Sequence, residues 1–332
     1  MTVAGDPRAA LQHDVDNPLR IRVLALAGLG RSGTTLVECA LADGVTMAAL
    51  GEVVHLWERG LVRDELCGCG MPFGRCPFWQ EVGSLAFGGW DRVDARRMAV
   101  LKARVDRVAN IPRIGAPPAA AGSFRHDLED YRWHYERIYE AATTVSGAHL
   151  VVDSSKQPSL VHALLSSQRL DVRVLHCVRD SRAVAYAWTK RVRRPEARDA
   201  DGQFMTRYTP AKTARHWSIH NSAVEALRLR GAAVARLRYE DFIADPVGRV
   251  AWIQRFAGID GAPPRVGLTR HTLEVTPQHS CSGNPLRFAR GTIALRPDED
   301  WRTGLPAADA RMVTALTAPL LAHYGYPLRT AP

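Results

Sequence analysis

Residues 21–35 read Ile-Arg-Val-Leu-Ala-Leu-Ala-Gly-Leu-Gly-Arg-Ser-Gly-Thr-Thr. Ile21 to Ala27 is an apolar run of strand length, Gly28-Leu29-Gly30 breaks it, and from Thr34 to about Ala42 the apolar positions recur at helical spacing. A strand that turns through glycines into a helix makes an anion site. The backbone N–H groups of the turn converge on one point, and the helix dipole favours negative charge there.

The same order returns along the chain. His149 to Val152 is followed by Asp153-Ser154-Ser155-Lys156 and a helical stretch through Leu165. Val172 to Val178 is followed by Arg179-Asp180-Ser181 and a helix through Arg191, and Ala233 to Leu237 ends at Arg238-Tyr239-Glu240-Asp241. Strands that alternate with helices specify an α/β fold, a P-loop-type parallel sheet flanked by helices on both faces. Ligands bind such sheets at the carboxyl ends of the strands, where every polar motif of this chain falls. We expect a polar tail over residues 1–20 and a single domain over 21–328. Long insertions interrupt it at Leu66 to Trp79, Asn110 to Ser123, Arg191 to Arg215 and Asp260 to Gly283.

The 332 residues carry a formal charge of +10, almost all of the excess being arginine, whose fork suits phosphate and sulfate. These arginines are spread along the chain rather than gathered into a basic arm, and no nucleic-acid-binding module is recognisable, so the expected partner is a small polyanion and not a nucleic acid. No run approaches the roughly 20 apolar residues that span a bilayer, and the stretch Met1 to Asn17 is polar and acidic; both point to the cytoplasm. The six cysteines are too few for a disulfide scaffold. Cys67-Gly68-Cys69 and Cys76 offer three thiolates without an obvious fourth ligand nearby, so the expectation is a Gly-rich surface loop and no metal.

The loop from Gly28 to Thr35 has the glycine spacing of a phosphate-binding loop, but Thr34 stands where a nucleoside-triphosphate enzyme has its lysine, and the cation is Arg31 instead. That lysine bridges β- and γ-phosphates beside magnesium; its absence argues for a different anion.

In its Arg31-Ser32-Gly33-Thr34-Thr35 form the loop resembles the 5′-phosphosulfate loop of sulfotransferases that use 3′-phosphoadenosine-5′-phosphosulfate (PAPS), as found in bacterial, tyrosylprotein and carbohydrate-type members. Three further stretches resemble that family in order: Val178-Arg179-Asp180-Ser181, Arg238-Tyr239-Glu240-Asp241, and the segment from Gly283 through Arg287, Arg290-Gly291 and Asp300-Trp301-Arg302. The resemblance covers about residues 21 to 328. It implies that Arg31, Ser32, Gly33, Thr34 and Thr35 hold the 5′-phosphosulfate, that Arg179 holds the 3′-phosphate, that Tyr239 lies by the adenine, and that the last segment, with Arg287, Arg290 and Gly291, closes over the nucleotide. The family's further 3′-phosphate serine falls on Ala187 here, and Ser181, Tyr186 or an arginine between Arg287 and Arg290 would have to compensate.

Sulfonyl transfer needs positioning, charge stabilisation and a base for the acceptor hydroxyl. Glu52, 21 residues past Arg31, is the first candidate base, matching in position the catalytic glutamate of tyrosylprotein-type members; His55 is the second. Lys156 falls where phenol and steroid sulfotransferases place the histidine of a Lys-x-His pair, with Ser154 at the lysine's place, and is assigned to the sulfonyl oxygens. The expected reaction takes PAPS as donor, releases PAP, requires no metal, and sulfates a hydroxyl or amine on a small-molecule or glycan acceptor, in a monomer or homodimer. Two alternatives stand beside it: a P-loop small-molecule kinase, with Asp153 as the magnesium-binding carboxylate, and a non-catalytic nucleotide-binding protein.

Overall fold

The computed structural model describes residues 20–42, 46–117, 122–197, 203–259, 261 and 265–329. The tail expected over residues 1–20 therefore lies almost wholly outside the described residues.

Five strands form one parallel sheet: β1 (Ile21–Ala27), β2 (Met47–Gly51), β3 (Leu150–Lys156), β4 (Leu170–Val178) and β5 (Val234–Arg238). Their order is β2-β3-β1-β4-β5, with every pairing parallel. Four of the strands are those read from apolar runs. Edge strand β2 was not, because its five residues pair on one side only and carry no alternation; it is recognisable only by its register, Met47 to Leu150 and Ala49 to Val152.

Alternate residues of β1 serve two cores, as the period of two requires. Val23, Ala25 and Ala27 pack with helices α2 (Pro77–Phe87), α3 (Ala95–Val105), α4 (Ser123–Ser146) and α5 (Pro158–Leu165), including the buried Tyr131, Tyr135 and Tyr139 of α4. Leu24 and Leu26 face the other layer, with Val37 and Leu41 of α1 (Thr34–Leu41) and, further along the chain, Phe242, Val250 and Ile253. Helices α6 (Ser181–Thr189), α7 (Pro210–Leu229), α8 (Pro246–Phe256) and α9 (Ala307–His323) complete the described long helices. A separate antiparallel hairpin joins β6 (Thr272–Val275) to β7 (Gly291–Ala294).

Two of the expected insertions are structured. Leu66 to Trp79 is not a surface loop: Cys67 and Cys76 are fully buried and Trp79, at the start of α2, is in the core. Asp260 to Gly283 contributes β6. Both gain their order from contacts distant in sequence, which local composition cannot register.

Candidate active site

Because β1 is central and the chain departs to opposite sides of it, the carboxyl ends of all five strands border one cleft. Each strand delivers one group to it. After β1, Gly28 adopts φ 132 with its Cα against the Cys177 carbonyl, where a Cβ would come within 2.4 Å of the oxygen. Arg31 (φ 74) and Gly33 (φ 84) both take the left-handed conformation, which winds the loop tightly into α1. At Gly33 any side chain would also strike the Tyr239 ring. No side chain caps α1. The Ser32 hydroxyl and the Arg31 Nε are buried without a hydrogen-bond partner among the described residues.

After β2 comes Glu52, whose N–H donates to the Ser282 carbonyl (3.0 Å). The last residue of β3 is Lys156, a non-glycine residue at φ 65. This turn brings its Nζ onto the Ser154 carbonyl (2.7 Å) and onto Glu52 Oε1 (2.6 Å). The other carboxylate oxygen of Glu52 lies 3.4 Å from His55 Nε2. Burial by itself would raise the Glu52 carboxyl, but Lys156, His55 and Arg59 outweigh it and hold it at about 2. Burial, reinforced by Arg59, pushes His55 down to about 3, so its ring is neutral at pH 7.

The backbone under this pair is fixed by a residue that sequence reading passed over. Glu38, on the sheet-facing side of α1, accepts from Gly51 N (2.8 Å) and Ser154 Oγ (2.8 Å), joining the residue before Glu52 to the strand end that carries Lys156. Burial raises its carboxyl to about 7, against the pull of those two hydrogen bonds. A carboxylate in an otherwise apolar, sheet-facing helical position was the available signal.

After β4 comes Arg179, almost fully buried. Its guanidinium donates to the Asp298 carbonyl (2.9 Å), pairs with the Asp298 carboxylate (2.9 Å) and lies 4.5 Å over the Tyr239 ring. Its Nε is buried without a partner. Tyr239 follows β5, and Trp217 of α7 supports Arg179 by donating to its carbonyl (3.0 Å).

Arg31, Gly33, Thr34, Thr35, Glu52, His55, Lys156, Arg179 and Tyr239 thus line a single cavity of about 680 Å³, whereas Ser32 is buried outside the lining. Other candidates lie elsewhere. Ser181 is turned away, its hydroxyl bonded to Thr317 Oγ1 (2.8 Å), because the first turn of α6 packs on α9. Arg287 is buried on the carbonyls of Ser280 (2.8 Å) and Leu66 (2.9 Å), and Arg290 reaches the Gly68 carbonyl (2.6 Å). Gly291 opens the exposed strand β7. Tyr186 lies against Gly304 and under Lys190. These four residues and Ser181 are outside the cavity lining. The cation that does face it near Ala187 is Lys190, three residues on, paired with Asp300 (3.0 Å). Trp188, whose indole donates to the Gly30 carbonyl (3.0 Å), and Arg59 also line the cavity and were missed. Asp153, the carboxylate a kinase would need, is a buried residue of β3 and accepts from Tyr139 and from Ser155 instead.

The glycine-rich loop, the strand-end arginine and the carboxylate–lysine pair thus border one cavity at the carboxyl ends of a parallel sheet. Over residues 24–263 the chain matches the model described as the sulfotransferase family, and it belongs to that family. It is similar to two proteins called carbohydrate sulfotransferase 3. The one from Tetronarce californica is 26% identical over 184 residues, covering 52% of this chain and 40% of the relative. The one from Homo sapiens is 29% identical over 190 residues, covering 52% and 37%. The chain thus spans about two fifths of the length of these curated relatives. In fold it is similar to a sulfotransferase domain from the curacin biosynthetic pathway, with a TM-score of 0.50 and 14% identity over 94% of this chain and all of the domain.

Proposed function

We propose that the cavity transfers a sulfonyl group from PAPS to a hydroxyl, or an amine, of a small-molecule or glycan acceptor, releasing PAP. The observation that supports this most directly is the Lys156–Glu52 pair facing the same cavity as the Arg31 loop and Arg179. The unpartnered donors at Ser32, Arg31 and Arg179 fit a ligand with two separated anionic groups.

In this reading Arg31 and the N–H groups from Gly33 to Thr35 bind the 5′-phosphate and stabilise it as it leaves, and Arg179 binds the 3′-phosphate with Tyr239 beside the base. Lys156 neutralises the sulfonyl oxygens. The acceptor oxygen forms its bond to sulfur as the sulfur–oxygen bond to the phosphate breaks, and the acceptor proton passes to Glu52. A carboxylate held at about 2 is a weak base. Drawing Lys156 from Glu52 towards the sulfonyl oxygens removes the largest influence that keeps it low, so donor binding makes the base stronger. His55, neutral and within reach of Glu52, orients the carboxylate.

A kinase reading is disfavoured by the engagement of Asp153 with Tyr139 and Ser155. Incubation with labelled PAPS and a metabolite extract, followed by mass spectrometry for a gain of one sulfonyl group, tests the proposal. Thermal stabilisation by ATP with magnesium and not by PAP would overturn it.

A further inference from the structure

The sequence suggested no fourth ligand for the three clustered thiols, but the fold brings one to them from more than 200 residues away. His279, in the segment leading out of β6, places Nδ1 at 3.2 Å from Cys76 Sγ and 3.9 Å from Cys67 Sγ. Cys76 Sγ is 3.6 Å from Cys67 Sγ and 3.8 Å from Cys69 Sγ, and all four ligand atoms lie within 4.8 Å of one another. A tetrahedral zinc ion with bonds of about 2.3 Å to sulfur and about 2.0 Å to nitrogen requires sulfur–sulfur edges of about 3.8 Å and sulfur–nitrogen edges of about 3.5 Å. The sulfur–sulfur edges of 3.6 and 3.8 Å and the sulfur–nitrogen edges of 3.2 and 3.9 Å lie close to those values. A disulfide would bring two of the sulfurs to about 2.05 Å and leave the third thiol and the imidazole without a role.

The surroundings are those of a fixed ligand set. The His279 ring stacks on Phe78 at 4.9 Å, and its carbonyl accepts from Trp79 Nε1 at 2.8 Å. Gly68 donates to the Ser280 carbonyl at 2.9 Å, and a side chain at Gly68 would collide with Ser280 and Gln278. Arg287 and Arg290, which lie outside the cavity lining, tie Ser280, Leu66 and Gly68 together. Cys67 and Cys76 are fully buried. We propose that Cys67, Cys69, Cys76 and His279 form a structural zinc site that clamps the loop after residue 65 to the segment after β6.

The clamp has a reach into the active site. From His279 the chain runs to Cys281, whose N–H donates to Leu50 of β2 (2.9 Å), and to Ser282, whose carbonyl holds Glu52 N and whose hydroxyl accepts from Arg59 (2.8 Å). With four protein ligands no coordination position remains open, so the metal supports the wall that carries Glu52 and takes no part in the reaction.

The test uses the tag-free full chain produced in zinc-supplemented medium. Elemental analysis should give about one zinc per chain, and Cys69→Ser and His279→Ala should each lower it about tenfold or more, whereas Cys39→Ala, in the opposite core layer, should leave it unchanged. Replacement by cobalt(II) should yield the visible bands of a tetrahedral thiolate complex, which decides the matter on the wild type even where a variant fails to fold. Protein without zinc that gives no such cobalt spectrum overturns the site. So does alkylation of unreduced protein that finds two of the three thiols joined in a disulfide. Neither readout depends on turnover, so the zinc site and the sulfonyl-transfer reading fail separately.

Discussion

Lys156 Nζ lies 2.6 Å from Glu52 Oε1, although 104 residues separate them and they leave neighbouring strands. Their contact makes Glu52 an ionised and weakly basic carboxylate until another anion engages the lysine. Glu52→Gln keeps the shape and most hydrogen bonding of the side chain but removes the proton acceptor. Turnover should fall by about 10² to 10⁴, with PAP affinity retained. Loss of PAP affinity with kcat within a few-fold of wild type would instead make Glu52 a structural partner of the lysine.

Arg179 is held between Tyr239 and Asp298 with its Nε unpaired. Arg179→Ala should weaken PAP binding by about 1.5–3 kcal/mol, the range for hydrogen bonds to charged groups. Adenosine 5′-phosphosulfate, which has no 3′-phosphate, should be a poor donor for wild type and lose little more in the variant. Calorimetric titration showing unchanged PAP affinity would remove Arg179 from the 3′ site.

The segment from Asp298 to Asp300 sets a carboxylate on each of two cavity cations, Asp298 on Arg179 and Asp300 on Lys190. A bound 3′-phosphate competes with the first of these. Asp298→Asn should therefore tighten PAP binding by several-fold, with the gain shrinking as salt is raised. Weaker binding in this variant would show that the Asp298 carboxylate orients Arg179 for the nucleotide.

The acid side of the stability profile carries two signatures. His55 falls from its ordinary 6.5 to about 3 and Glu52 from 4.5 to about 2, so both bind protons more readily in the unfolded chain. Their contributions are complete above the unfolded values and are lost as pH falls, from about 6.5 to 3 for His55 and from about 4.5 to 2 for Glu52. Thermal unfolding followed between pH 7 and 4 should show His55→Gln flattening the loss between pH 6.5 and 4.5. Glu52→Gln should lower stability at all pH values above about 4.5 and alter the slope only below that. An unaltered slope in His55→Gln would place a charged imidazole in the native protein.

Local sequence determined the strands β1, β3, β4 and β5, the loop from Gly28 to Thr35 and the residues waiting at each strand end, because these depend on hydrophobic period and on backbone conformations set within a few residues. Lys156, Arg179 and Tyr239 were legible at strand ends for that reason, whereas Glu52, which follows the unread strand β2, was legible only through its match in position to a family glutamate. Tertiary structure decided what was not local. Edge strand β2 exists through its pairing with β3, Glu38 acquires its place by bridging two strand ends, and Lys190 faces the cavity where Ser181 is turned away by α9. The cysteine loop shows the same division. Its three thiols are visible in 10 residues of chain, but His279 reaches them only because the segment leaving β6 crosses back over that loop, a closure of more than 200 residues that no local pattern encodes.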